Sequence, residues 1–439
     1  MSDTPAQEPD LALGRKTSRR VRLWLFLLAA PALLCIVWLI FPTLALSQAQ
    51  EHLFRRESTA ALSWLPYADF GWTTRAAAAF YRARAYRQLG QMDQVKQQLT
   101  VARSLGFSAS QIEREQWLAL AQSGQLAESE RHFPELLMNS AGDMADICEA
   151  LANGLMRHHR EPDALRIVDA WLKDQPDSVR GLRVRIQLLT TLNRQKLAEL
   201  DLRHWGALEP ESTDAKTQLA SILINQQRMT EAVPLLQAVL AREPNHLPAL
   251  LDLARCSDRL GQSAEAGTLL KQALQLAPDD PVVLLLLAKW EFEQDQIEAS
   301  QQHLQRYLNR NPNLLDARYL HGQILQAQGR MAEARQELEY VVRCNQELGE
   351  TSLIADRARE GPLSADEMVR IGKAYLASGQ NLLALSWLYN VLDADPRNRE
   401  AHRLLAEYYR RESAFQPKLA AQAEQHQKAV EAADTSLAK

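Results

Sequence analysis

The sequence has few cysteines for its length, with four among 439 residues. A disulfide scaffold needs a denser set, so we expect these cysteines to be free thiols. Charge of one sign is also missing, because 50 lysines and arginines are balanced by 54 aspartates and glutamates, for a net charge of −4. A nearly neutral chain gives no broad electrostatic reason to bind nucleic acid, and we predict no nucleic-acid partner.

The short motifs that mark common catalytic sites are absent from the sequence. It contains no glycine-rich phosphate loop, Cys-x-x-Cys, His-Glu-x-x-His or Gly-x-Ser-x-Gly. The adjacent His158 and His159 would point to different sides of a helix end, so we expect exposed or capping histidines and not metal ligands. We predict a protein without enzymatic activity, metal, cofactor or small-molecule substrate, and an enzyme with an unrecognised site is the least favoured alternative.

Prolines recur at a fixed interval of 34 residues through the middle of the chain. The five that keep this interval are Pro176, Pro210, Pro244, Pro278 and Pro312. Twelve residues before each proline stands a small residue: Ala164, Ala198, Ala232, Ala266 and Ser300. Eight residues before each proline stands an apolar one: Val168, Leu202, Leu236, Leu270 and Leu304. A period of this length indicates stacked copies of one supersecondary unit.

This pattern is typical of two short antiparallel helices in each repeat. Small residues allow the helix backbones to approach, large apolar residues fill the space between them, and proline ends the second helix. The pattern resembles the tetratricopeptide repeat, which implies an all-α, right-handed α-solenoid, here of about ten helix-turn-helix repeats. Trp171 and Trp205 share one repeat position and are expected in the core.

A basic N-terminal stretch is followed by a long apolar run. Five Lys or Arg residues between Arg15 and Arg22 precede Leu23–Leu46, which carries no charge. Twenty-four helical residues would span about 36 Å, which exceeds a bilayer core of about 30 Å. We predict a short cytoplasmic tail at residues 1–20 and one transmembrane helix at 21–46, and a cleaved signal peptide is the alternative. The positive-inside rule then places the repeats outside the cytoplasm, in a periplasm-like compartment.

The remaining chain is divided by where the repeat register holds. Residues 47–346 are predicted to form the solenoid, with a first half-repeat that merges with the anchor. Trp117 departs from the pattern because it stands where other repeats have a small residue. The next match begins at Ala365, which leaves an insertion at 347–364, interpreted as an elongated helix plus a loop or as a partner contact. Residues 365–432 hold the last repeats and a polar capping helix.

The resemblance also implies where a ligand would bind. In the tetratricopeptide family, ligands lie along a concave groove lined by the first helices of the repeats. The candidate groove residues are Asn153, Arg157, Arg183, Gln187, Asn225, Arg255, Arg259 and Lys289. We predict a non-catalytic, membrane-anchored scaffold that binds protein or peptide partners there. An assembly factor for an envelope complex is the alternative.

Overall fold

The computed structural model describes residues 40–138, 144–357, 361 and 363–437. Within these ranges all regular elements are helices and no strand is present, as the sequence predicts. The predicted tail and most of Leu23–Leu46 lie outside the described residues. From residue 40 onward the chain is helical, and this helix, α1, continues to residue 54. None of the described helices is both long enough and apolar enough to cross a membrane.

The chain divides into two compact units, residues 1–123 with 127–132 and residues 124–126 with 133–439. The helices of the first unit after α1 are α2 Ser58–Ala68, α3 Arg75–Gln88, α4 Met92–Ser104 and α5 Ala109–Ser123. At the boundary follow α6 Leu126–Ser129 and a 3-10 turn, Glu130–His132.

The second compact unit holds the remaining helices, which alternate as the first and second helices of successive repeats. They begin with α7 Phe133–Met138, α8 Met144–Arg157, α9 Glu161–Asp174, α10 Val179–Thr191, α11 Gln195–Leu208, α12 Thr213–Asn225, α13 Met229–Arg242, α14 Leu247–Arg259 and α15 Ser263–Leu276. They continue with α16 Pro281–Glu293, α17 Ile297–Arg310, α18 Leu315–Ala327, α19 Met331–Arg357, α20 Ala365–Ala377, α21 Asn381–Ala394, α22 Arg399–Ser413, a 3-10 turn Pro417–Leu419 and α23 Ala420–Leu437.

The turns repeat as regularly as the helices. Each periodic proline lies between two repeats, and the residue two positions later commonly caps the next helix. Ser178, Ser212 and Asp280 accept hydrogen bonds from backbone N–H groups of the first turn that follows. Between the two helices of a repeat, one residue has a positive φ at the same 34-residue interval: His159, Asn193, Gln227, Gly261, Asp295 and Gly329. This left-handed residue ends the first helix and reverses the chain.

The predicted small residues lie in the core. Ala164, Ala198, Ala232 and Ala266 are fully buried, and so is Ser300. Trp171 and Trp205 are also buried, which confirms that they pack in the core. The periodic positions therefore mark the contact between the two helices of each repeat.

Trp117 changes the repeat in which it occurs. Its indole stacks on the imidazole of His132, with ring centroids 4.0 Å apart. His132 lies in the 3-10 turn that interrupts the second helix of this repeat, which is split into α6, the turn and α7. A bulky side chain at a position where other repeats have a small one explains why a regular second helix does not form here.

A long-range contact joins the turn after α8 to α21, within the second compact unit. The side-chain amide of Asn390 donates a hydrogen bond of 2.9 Å to the carbonyl oxygen of Arg157. The His159 ring stacks on Trp387 at 3.9 Å, and its Nε2 lies 3.3 Å from Ser386 Oγ. We call the contact of Arg157 and His159 with Ser386, Trp387 and Asn390 the clasp.

The clasp corrects the expectation for His159. This side chain was expected at the surface or as a helix cap, but only 16% of it is exposed. His158, which lies beside it, bonds through Nε2 to the carbonyl oxygen of Gly124. The expectation for His159 was wrong because its partner Trp387 is more than 200 residues away in the sequence, where no local pattern indicates it.

The buried alanine of the second helix is a test of the register. We expect Ala232→Leu to destabilise the protein by roughly 1–3 kcal/mol, because the added side chain would overpack the contact between helices. Ala238→Leu is the control, since Ala238 lies on the same helix α13 but is exposed. Thermal unfolding followed by circular dichroism measures both, and equal melting temperatures would contradict the assigned register.

Acid is expected to release the clasp. Burial, with the nearby charge of His158, lowers the pKa of His159 to about 4 from 6.5. Between these values the open state binds more protons, so stability is complete above about pH 6.5 and falls as the pH falls toward 4, by up to about 3 kcal/mol. Hydrogen exchange, corrected for intrinsic rates, should show α21 and the turn after α8 losing protection at pH 4.5.

The control for acid release removes the titrating group. His159→Asn keeps a residue type that tolerates the positive φ of 55° at this position. In this variant the protection of α21 should depend much less on pH between 4.5 and 7. Equal loss of protection in both proteins would show that another group controls the opening.

Candidate functional site

A concave groove runs across the first helices of four successive repeats, α12, α14, α16 and α18. Its volume is about 1070 Å³. Four of the predicted residues line it together: Asn225, Arg255, Arg259 and Lys289. The structure thus brings residues up to 64 positions apart in the sequence to one surface, because they occupy equivalent positions of neighbouring repeats.

The other four predicted residues do not line this groove. Arg183 lies over the ring of Trp205, at 5.3 Å from its centroid, and 3.9 Å from the carboxylate of Asp214. The backbone of Arg157 belongs to the clasp. Gln187 is exposed on α10 and Asn153 is half-buried on α8.

One wall of the groove is apolar, and the sequence analysis did not identify it. It is formed by the first halves of the first helices, with Leu251, Val282, Leu285 and Tyr319. Val282 and Tyr319 are 52% and 50% exposed, which is unusual for such large side chains and leaves apolar surface facing the groove. The signal was present in the 34-residue spacing of Leu251, Leu285 and Tyr319, all of which follow the same repeat position.

The charged part of the groove lies along the second halves of the same helices. Arg255 Nη1 is 3.2 Å from Asp252 Oδ1, and this is its one hydrogen bond within the part of the chain that the structure describes. Its remaining N–H donors therefore face the groove and solvent. Burial raises the pKa of Asp252, and the charge of Arg255 opposes that shift.

A second group of charges follows on α16. Burial and the nearby Asp258 raise the pKa of Glu293, whereas Lys289 and Arg259 oppose this shift. Cations and carboxylates therefore alternate along this side of the groove and compensate one another. Such a surface can donate and accept hydrogen bonds without attracting one sign of charge over a long distance.

The three described cysteines are free, as predicted, and all are buried. Burial raises the pKa of Cys148 to about 12 and that of Cys256 to about 11. Both thiols therefore remain protonated at neutral pH, a state in which cysteine is a poor nucleophile.

Comparison with known proteins identifies the repeats directly. Residues 223–290 and 259–323 match the family model described as tetratricopeptide repeat, and these ranges contain most of the groove. No curated protein sequence matches the chain.

Three solved structures illustrate the similarity in fold. A tetratricopeptide repeat protein from Parabacteroides merdae is 14% identical over 65% of this chain and 97% of its own, with a TM-score of 0.45. PilW, a type IV pilus biogenesis factor, is 18% identical over 60% of this chain and 98% of its own, with a TM-score of 0.35. The human IFIT1 dimer with PPP-AAAA is 15% identical over 80% of this chain and 90% of its own, with a TM-score of 0.40.

The family match and the period rest on the same residues. The matched region carries Pro244, Pro278 and Pro312 with the buried Ala232 and Ala266. With its helix pairs in the described residues and this match at its centre, the chain is a repeat protein of the tetratricopeptide type.

Proposed function

We propose that this protein is a membrane-anchored scaffold that binds protein partners in the groove and carries out no chemistry of its own. The observation that carries the proposal is the groove itself, which combines an apolar wall with a row of hydrogen-bonding side chains over four repeats. A polypeptide presents both features along its length, since its side chains alternate with backbone carbonyl and N–H groups.

The spare donors of the groove support a polypeptide ligand. Arg255 and Arg259 are four residues apart on α14 and so lie on one side of that helix. Lys289 occupies the equivalent position to Arg255 on the next first helix, α16. Guanidinium and ammonium groups spaced in this way can bind backbone carbonyl or carboxylate oxygens of an extended or helical segment.

Charge reversal in the groove is the test of this proposal. We expect Arg255→Glu with Lys289→Glu to reduce partner recovery in a pull-down from membranes by about tenfold or more, because a lost charged hydrogen bond costs about 1.5–3 kcal/mol. The matched control is Lys173→Glu with Lys196→Glu, which changes the net charge equally at exposed sites on second helices.

Folding of both double variants is checked by circular dichroism before the comparison. Partner proteins are quantified by mass spectrometry against the unaltered chain. If the groove variant recovers the same partners in the same amounts as the control variant, the groove is not the binding site.

We further propose that Leu23–Leu46 anchors the chain and that the repeats lie outside the cytoplasm. The uncharged run and the basic residues before it support this topology. An export-dependent reporter, such as alkaline phosphatase in a bacterial host, should be active when fused after Lys439. Activity of only a cytoplasm-dependent reporter at that position would show the opposite orientation.

A further inference from the structure

A second cavity opens directly beside the groove and has a volume of about 730 Å³. The two cavities are continuous, because Asp316 and Tyr319 line both of them. The second cavity lies between the start of α18, the helix α19 and the turn at residues 378–380. We call it the side cavity.

The side cavity results from the insertion that breaks the repeat register. Helix α19 has 27 residues, whereas the second helices α15 and α17 have 14 each. Its added turns extend one wall of the cavity with Asn345 and Leu348. The turn after α20 closes the opposite side, where the side-chain amide of Asn313 donates a hydrogen bond of 3.1 Å to the carbonyl oxygen of Leu376.

The walls of the side cavity are mainly apolar, with one charged group at the edge. Leu338, Val341 and Val342 face it from α19, and Val342 is 59% exposed. Asp316 is the one charged side chain among the residues that line it. The neighbouring Arg318 is already engaged, since it bonds to Glu337 Oε2 at 2.7 Å and to the carbonyl oxygen of Pro312 at 2.6 Å. No described cation therefore pairs with Asp316.

We infer that the side cavity binds a large apolar side chain of the partner polypeptide, with a lysine or arginine next to it that pairs with Asp316. The inference rests on the proposed function, because it places the same ligand in the groove. An apolar chamber of this size favours leucine, methionine or an aromatic residue. The unpaired carboxylate at the junction of the two cavities selects a cation beside that residue. The side cavity thus determines which segments the groove accepts.

The experiment selects ligands without assuming a partner. A phage library of random 12-residue peptides is panned against the full chain in lipid nanodiscs, and enriched peptides are synthesised with a fluorophore. Their affinity for the full chain and its variants is measured by fluorescence anisotropy. We expect enriched peptides to share a large apolar residue adjacent to lysine or arginine.

Three variants distinguish the side cavity from the rest of the surface. Val342→Glu should weaken these peptides at least tenfold, whereas Leu353→Glu should change their affinity less than twofold. Leu353 is the matched control because it is 71% exposed on the same helix and does not line the cavity. Asp316→Lys should weaken the same peptides at least tenfold, and replacing their basic residue with glutamate should restore binding to this variant.

The possible failures separate this inference from the proposed function. Peptides that lose affinity for Arg255→Glu with Lys289→Glu but not for Val342→Glu would overturn the side cavity and leave the groove as the binding site. Enriched peptides without the paired apolar and basic residues would also overturn it. A selection that enriches no peptide overturns the side cavity as well, and the membrane pull-down then decides the groove independently.

Discussion

The close approach of the two helices in each repeat is the constraint on which the rest of this structure depends. The contact point is occupied by fully buried small residues, such as Ala198, Ala232 and Ser300, whose hydroxyl donates a hydrogen bond of 2.6 Å to the carbonyl oxygen of Ala288. Elsewhere glycine allows the same approach, and a methyl group on Gly372 would lie 2.8 Å from the Leu388 side chain. Because protein cores are close-packed, this contact fixes the helix spacing.

A fixed spacing within repeats produces rows of side chains across them. Equivalent positions of α14, α16 and α18 carry Leu251, Leu285 and Tyr319, which form the apolar wall of the groove. The row one turn further along carries Arg255 and Lys289. The groove is therefore a product of the register, and the side cavity appears where the insertion in α19 interrupts that register.

The features that could be predicted from the sequence are those that repeat. The helix pairs, the turns at the prolines and the buried Trp171 follow from the 34-residue period, and four groove residues were identified in the same way. The broken helix beside Trp117 and the burial of His159 depend on single stacking contacts, with His132 and Trp387 respectively. Such contacts occur once in the chain, so no periodic pattern indicates them. The size of the side cavity was equally beyond prediction, because it depends on how α19 and the turn at 378–380 pack together.

The clasp changes the energetics expected of a repeat array. In an open array each repeat contacts only its neighbours, so any one interface can open at the cost of that interface alone. Here α8 and α21 are joined through Arg157 and Asn390, and the groove helices α12 to α18 lie between them in the chain. Spreading the groove must therefore strain or release the clasp in addition to separating two repeats. A groove restrained in this way loses less conformational freedom when it binds a polypeptide, and it keeps its residues at the spacing that the ligand must match.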